Sequence, residues 1–298
     1  IHTHLNTLQD FFQLRSKIQK HKITVDDHIH PDKKIILNIS FYIQFYQNFE
    51  SLILLVNNFN EEISKNSHIK LIKNSEDLNS DFKLGLIYHL ESARIIANPH
   101  DQIKQLNQLG FKGIIPVHFI DNCYGNSCDD FTRRLKLKAT DSGLSGQGKE
   151  LVEICNEFDM WLDLSHATDK TSTDILKLAK HVVASHVGFR GIKDFKRNIS
   201  LEVAKEIAHK GGLIGIIPWT HLIPSDESGH STVIEFGLKH NLEKALCIGT
   251  DFGAPIKTHK SNQSILDIAS KLERDFPKYS DRILWKNAFS FYQKVFSE

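Results

Sequence analysis

Short runs of apolar, often β-branched residues recur along the chain, separated by longer stretches whose apolar positions return every three or four residues. The short runs lie at 1–5, 35–43, 84–90, 113–117, 161–164, 182–185, 213–217 and 246–249. Most are continuous rather than alternating, which is how strands covered on both faces read. Segments 147–158 and 170–180 have helical spacing, and 201–210 ends on Gly211-Gly212, a helix-stop signal. Two further helical patterns, 261–274 and 280–296, follow the last strand. Eight strands alternating with helices predict an α/β fold, a (β/α)8 TIM barrel. A doubly wound open sheet is the rival, and it calls for a Gly-rich phosphate turn after an early strand, which is missing. Segment 63–80 fits the alternation least and reads as a helix end followed by an excursion. Without an internal repeat, a linker or a low-complexity stretch, residues 1–298 are expected to form one domain.

Composition narrows the function classes. The 298 residues are 40% hydrophobic and 24% charged, an ordinary globular balance, and the net charge is +1. Lys and Arg are dispersed among Asp and Glu, so no basic stripe for nucleic acid is present. No apolar run approaches the ~20 residues that span a bilayer. The opening Ile1-His2-Thr3-His4 shows no Met, basic n-region or apolar h-region. A cytoplasmic protein is expected; a secreted or periplasmic one stays open, since the native start need not be Ile1. Four Cys (Cys123, Cys128, Cys155, Cys247) are too few for a disulfide framework and are expected to be reduced thiols, most of them buried. The 17 His change the picture more, because several of them end apolar runs.

The first strand ends at His4-Leu5-Asn6 and the third at Glu91. The fourth ends at His118, the fifth at His166, the sixth at His186 and the eighth at Asp251. In a barrel these ends converge on the face where active sites lie. Imidazole and carboxylate are the ligands of first-row metals, so His, Glu, His, His and Asp brought together describe a metal site. Each residue alone has a plainer role: a hydrogen-bonded core His, an Asp as helix N-cap, or a Glu91–Arg94 pair at i+3. Recurrence of metal-capable residues at one structural address favours the site. Glu91, a single carboxylate between two ligand sets, can bridge two divalent ions, an arrangement that holds a hydroxide and polarises a carbonyl for hydrolysis.

Several of these segments resemble one known family, the membrane (renal-type) dipeptidases of peptidase family M19, within the metal-dependent amidohydrolases. The stretch from Gly143 to Val152 resembles its GLTxFGxELV segment, and Trp161 to Thr171 its LVDLSHVSDKT. Val183 to Arg190 is similar to IASHSNAR, Lys196 to Ile199 with Gly211 to Gly215 to PRNL…GGxIG, and Ile248 to Gly253 to IGSDFDG. The motifs keep family order over nearly the whole chain and match worst between Phe11 and Asp81. The resemblance implies a barrel metallohydrolase, a homodimeric dipeptidase that binds two Zn2+ and cleaves small dipeptides. It implies His166 and His186 at one metal, His4, Asn6 and Asp251 around the other, and Glu91 bridging. His118 would stabilise the tetrahedral intermediate, Arg197 and Arg190 would contact substrate, and Asp251 would pass a proton to the leaving amine. Where the family has His-x-Asp, this chain has His4-Leu5-Asn6, so a weaker first metal site is expected. His2-Thr3-His4 offers an alternative His-x-His pair, because residues two apart on a strand face the same way. Val187-Gly188-Phe189 replaces Ser-Asn-Ala and implies a different pocket shape. Two further readings use the same residues: another amidohydrolase-type enzyme (phosphoesterase, deacetylase or lactonase-like), or a non-catalytic member with one metal.

Overall fold

The computed structural model describes residues 2–4, 29–30, 32–42, 47–129, 141–254 and 257–297. Its strands are β1 (His2–His4), β2 (Ile35–Tyr42), β3 (Ile69–Leu71), β4 (Leu84–Glu91), β5 (Phe111–Ile115), β6 (Trp161–Asp163), β7 (Val182–Val187), β8 (Leu213–Ile216) and β9 (Leu246–Phe252). All are parallel. Sequential pairing runs from β4 through β9, β9 pairs with β1, β1 with β2, and β2 returns to β4. That last ladder runs in register from Ile35 opposite Leu84 to Tyr42 opposite Glu91. Eight strands thereby close into a barrel, and the open-sheet alternative falls. The ninth, β3, flanks the lower half of β4. It lies in the excursion expected at 63–80, beside the short helix α2 (Ser75–Asn79).

The helices are α1 (Phe49–Ser64), α3 (Pro99–Leu109), α4 (Gly146–Glu157), α5 (Asp169–Leu178), α6 (Leu201–His209), α7 (Gly229–Lys239), α8 (Ile265–Asp275) and α9 (Asn287–Ser297). Their starts are chemically marked. Asn48, Ser145, Thr168, Ser200 and Ser264 each accept a hydrogen bond from a backbone N–H of the first turn. Before α8 the expected helix start at 261 is a 3-10 turn, Lys260–Asn262, and α9 is preceded by a π turn, Arg282–Lys286. Among the described residues no helix is long and apolar enough to cross a membrane.

The period of two along each strand sorts the side chains. In β4, Leu84, Leu86, Tyr88 and Leu90 join the core beneath the helices, and the Tyr88 hydroxyl donates to Asn60 of α1 at 2.6 Å. The alternate positions Gly85, Ile87, His89 and Glu91 share the opposite face. Ile87 belongs to a separate apolar cluster with Trp161, Val183, Leu213, Phe291, Tyr292 and Val295, in which α9 packs on the barrel. Glycine is needed at Gly215, where a Cβ would lie 1.9 Å from the Ser185 carbonyl oxygen, so β7 and β8 approach closely below the site.

Candidate metal centre

Glu91 is the last residue of β4 and is 1% exposed. Its Oε1 faces three imidazoles: His118 Nε2 at 3.0 Å, His166 Nε2 at 3.4 Å and His186 Nε2 at 3.9 Å. His118 follows β5, His166 follows β6, and His186 lies within β7, so neighbouring strands deliver all four groups to the C-terminal mouth. The two nitrogens His166 Nε2 and His186 Nε2 stand 3.2 Å apart. Their opposite ring nitrogens are engaged elsewhere. His166 Nδ1 is 2.7 Å from Asp129 Oδ2, and His186 Nδ1 is 2.7 Å from Ser185 Oγ.

This donor set fits a divalent cation. A carboxylate facing Nδ1 places the ring proton there and turns the Nε2 lone pair of His166 into the centre, as orienting partners of metal-bound imidazoles do. Glu91, His118 and His166 together meet the geometry of a three-ligand site. His118 thus sits as close to Glu91 as the expected ligands do, although the family resemblance gave it a role on substrate.

Backbone strain concentrates at this mouth. His166 (φ 72°), Asp251 (φ 54°), Phe119 (φ 55°) and Ser92 (φ 98°) are non-glycine residues with positive φ, each within one position of a predicted site residue or at it. The His166 carbonyl accepts from Cys128 N at 2.8 Å and Ser127 Oγ at 3.1 Å, which holds that conformation. Asp251, 7% exposed, lies in β9 next to its end. His4 ends β1, whereas Asn6 lies outside the described residues.

The two arginines differ. Arg190 directs both terminal nitrogens into a two-pronged ion pair with Asp169, with a further 2.9 Å bond from Nη2 to the Asn198 carbonyl, and its Nε has no hydrogen-bond partner among the described residues. Arg197 is 4% exposed, with Nε 3.6 Å from Asp129 Oδ2 and Nη1 without a hydrogen-bond partner among the described residues.

Asp129 was not singled out in the sequence, where a loop Asp carries no pattern. Burial by itself would raise its carboxyl, but the hydrogen bond and charge of His166, then the Arg197 and His118 charges, hold it well below the usual range. Burial, followed by the Glu91 charge, raises the Tyr42 phenol, whose ring meets His118 edge-on at 5.1 Å. The four cysteines are free: Cys155 is buried, Cys128 and Cys247 are half-buried, and Cys123 is exposed, so fewer are fully buried than expected. Burial and then Asp129 push the Cys128 thiol up to about 12, so it stays protonated beside the centre.

The fold and the site define a closed barrel with a buried carboxylate–imidazole centre fit for a divalent metal. Residues 35–297 match the sequence model described as membrane dipeptidase (peptidase family M19), and the chain belongs to that family. Dipeptidase 3 of Macaca fascicularis is 24% identical over 149 residues, covering 50% of this chain and 30% of that protein. The chain spans between 30% and 57% of the length of the first curated relatives it matches. An amidohydrolase structure from Pseudomonas aeruginosa is similar with TM-score 0.76 at 22% identity, over 88% of this chain and 89% of that one. A metallopeptidase from Rhodobacter sphaeroides, liganded with a phosphinate mimic of the dipeptide L-Ala-D-Ala, gives TM-score 0.75 at 16% identity over 87% and 86%. At such identities the likeness is one of fold.

Proposed function

We propose that this chain is a zinc-dependent dipeptidase. The observation that carries the reading is the single Glu91 oxygen facing three imidazole Nε2 atoms at 3.0 to 3.9 Å in a barrel mouth. Glu91, His166 and His186 would hold one zinc ion, and His4, Asn6 and Asp251 would complete a second site that shares Glu91. Bound zinc supplies an activated water and a polarised scissile carbonyl.

The remaining work belongs to side chains. Arg197 offers a buried guanidinium with a nitrogen to spare, suited to the free carboxylate of a dipeptide, which planar forks pair with bidentately. Asp129 Oδ2 meets both His166 Nδ1 and the Arg197 Nε, so one carboxylate oxygen links the centre to the carboxylate clamp. His118 Nε2–H would donate to the carbonyl oxygen as negative charge develops there. Asp251 would accept the proton of the attacking water and return it to the leaving amine. Arg190, with both terminal nitrogens on Asp169, would hold the loop beside the mouth and could contact substrate only through its Nε.

Support for a dipeptide substrate comes from family membership and from the dipeptide mimic bound by the Rhodobacter sphaeroides relative. The test is metal analysis of the purified chain, followed by hydrolysis of a panel of dipeptides before and after chelation. Zinc-dependent release of free amino acids is expected. Bound metal with hydrolysis of phosphoesters or lactones instead would favour another amidohydrolase-type enzyme, and absence of all turnover a non-catalytic member.

A further inference from the structure

Beneath the mouth, the barrel interior holds a polar layer that the proposed chemistry leaves unused. Ser40, His89 and Asp163 are each 0% exposed. Barrel interiors are ordinarily filled by branched apolar side chains, and a buried imidazole is costly without hydrogen bonds. Here the chain makes room for one. A Cβ at Gly113 would lie 1.9 Å from Trp161 Nε1 and 2.5 Å from His89 Cδ2, so only glycine leaves space for both rings. His89 stacks on Trp161, with 16° between ring planes and 6.3 Å between centroids.

The contacts of this ring lead upward. His89 Nε2 lies 3.3 Å from Asp163 Oδ2, an ion-pair contact outside hydrogen-bond geometry, and its Nδ1 is 3.4 Å from Ser40 Oγ. The Ser40 hydroxyl donates to Glu91 Oε2 at 3.0 Å, the oxygen turned away from the three imidazoles. The second oxygen of Asp163 accepts from Ser165 N at 2.9 Å and Ser185 N at 3.1 Å, the residues just before His166 and His186. One network therefore supports Glu91 through a side chain and two imidazoles through the backbone.

We propose that His89 is a positioning residue for the metal centre: anchored by Asp163 and Trp161, it orients the Ser40 hydroxyl and so fixes Glu91 with Oε1 toward the imidazoles. The proposal rests on the reading of Glu91 as a metal ligand. A merely space-filling His89 would be served by any side chain of similar volume. A positioning His89 needs a polar atom on the Ser40 side of the ring.

Two substitutions separate these roles. In His89→Asn the amide falls near the Nδ1 position and can still meet Ser40. In His89→Gln it falls near Nε2 and meets Asp163 only. Zinc affinity, measured on the metal-free full chain by competition with a chromogenic chelator, and the melting temperature of the metal-free chain are read for both. Ser40→Ala removes a single oxygen and keeps the test usable if a His89 variant fails to fold. Glu91→Gln is the control for the metal reading itself. We expect affinity to fall about tenfold or more in Ser40→Ala and His89→Gln, with His89→Asn close to wild type. The Ser40→Ala/His89→Gln double variant should lose no more than either alone, because both break one chain of bonds. If Ser40→Ala and His89→Gln bind zinc like wild type while Glu91→Gln does not, His89 is not a positioning residue and the metal reading stands. Equal losses in His89→Asn and His89→Gln, tracking equal losses in melting temperature, overturn the proposal in favour of packing. Unchanged affinity in Glu91→Gln removes the metal reading and this proposal with it.

Discussion

His166 meets three demands at once: a left-handed backbone at φ 72°, an Nδ1 bound to Asp129, and an Nε2 facing both Glu91 and His186. His166→Ala keeps the fold but removes the central donor, so bound zinc should drop and turnover fall by roughly a hundredfold or more. Metal analysis with circular dichroism checks this, and full activity after chelation and buffer exchange would sink the assignment. Arg197 and His118 separate binding from catalysis. Arg197→Lys exchanges a fork for a point charge, so KM should rise several-fold or more with zinc content unchanged. His118→Ala should instead lower kcat by about a hundredfold, as loss of an oxyanion donor does, with zinc retained. His118 lies 3.0 Å from Glu91, so its variant has a second informative result: loss of zinc would make it a ligand.

Among the elements, α7 and β8 meet through a buried histidine. His230 of α7 is 1% exposed, and its Nε2 lies 3.3 Å from the Ile216 carbonyl. Burial, with the Lys271 charge adding to it, lowers its pKa from 6.5 to about 4, against the opposing pull of the Ile216 carbonyl. The unfolded chain therefore takes up a proton between pH 6.5 and about 4 that the folded chain refuses. The associated stability, on the order of 3 kcal/mol, is complete above the unfolded value and is lost as pH falls through this window. His230→Leu should flatten that part of the stability profile, measured by denaturant unfolding at pH 7, 5.5 and 4. A slope as steep as wild type would show that His230 is not its source.

Across the whole molecule, the barrel interior grades from apolar to polar along its axis. Ile87, Trp161 and Val183 pack with Phe291 and Tyr292 of α9; His89 and Asp163 come next, and Glu91 with its imidazoles occupies the mouth. Ring contacts of 5.7 Å and 5.8 Å tie Trp161 to Phe291 and Tyr292. Stability and metal binding are thus assigned to different levels of one barrel. Phe291→Ala should cost about 3–5 kcal/mol, the usual penalty for an emptied aromatic site. Zinc affinity of the folded protein should stay within about twofold of wild type, since the bonds around Glu91 are untouched. A parallel loss of affinity would mean that α9 acts on the mouth through Trp161 and His89.

Hydrophobic patterning was enough to locate the eight strands of the ring, because a strand buried on both faces must be apolar nearly throughout. The meeting of Glu91, His118, His166 and His186 was legible because a parallel barrel gathers its strand ends at one mouth, so a polar residue there stands out against the run before it. Ser40 and His89 also interrupt buried strands, each two positions before Tyr42 and Glu91, and that period of two was the signal that could have found them. Strand β3 is three residues long and half-buried, too short to show a period. Closure came from pairing β2 with β4 and β1 with β9, contacts between segments far apart in the chain. Asp129 and the engagement of Arg190 by Asp169 were equally out of reach: both depend on which loop side chains meet across the mouth. Local order in the chain sets periodicity and strand ends, whereas hydrogen-bond partners between loops depend on distances that exist only once the ring has closed.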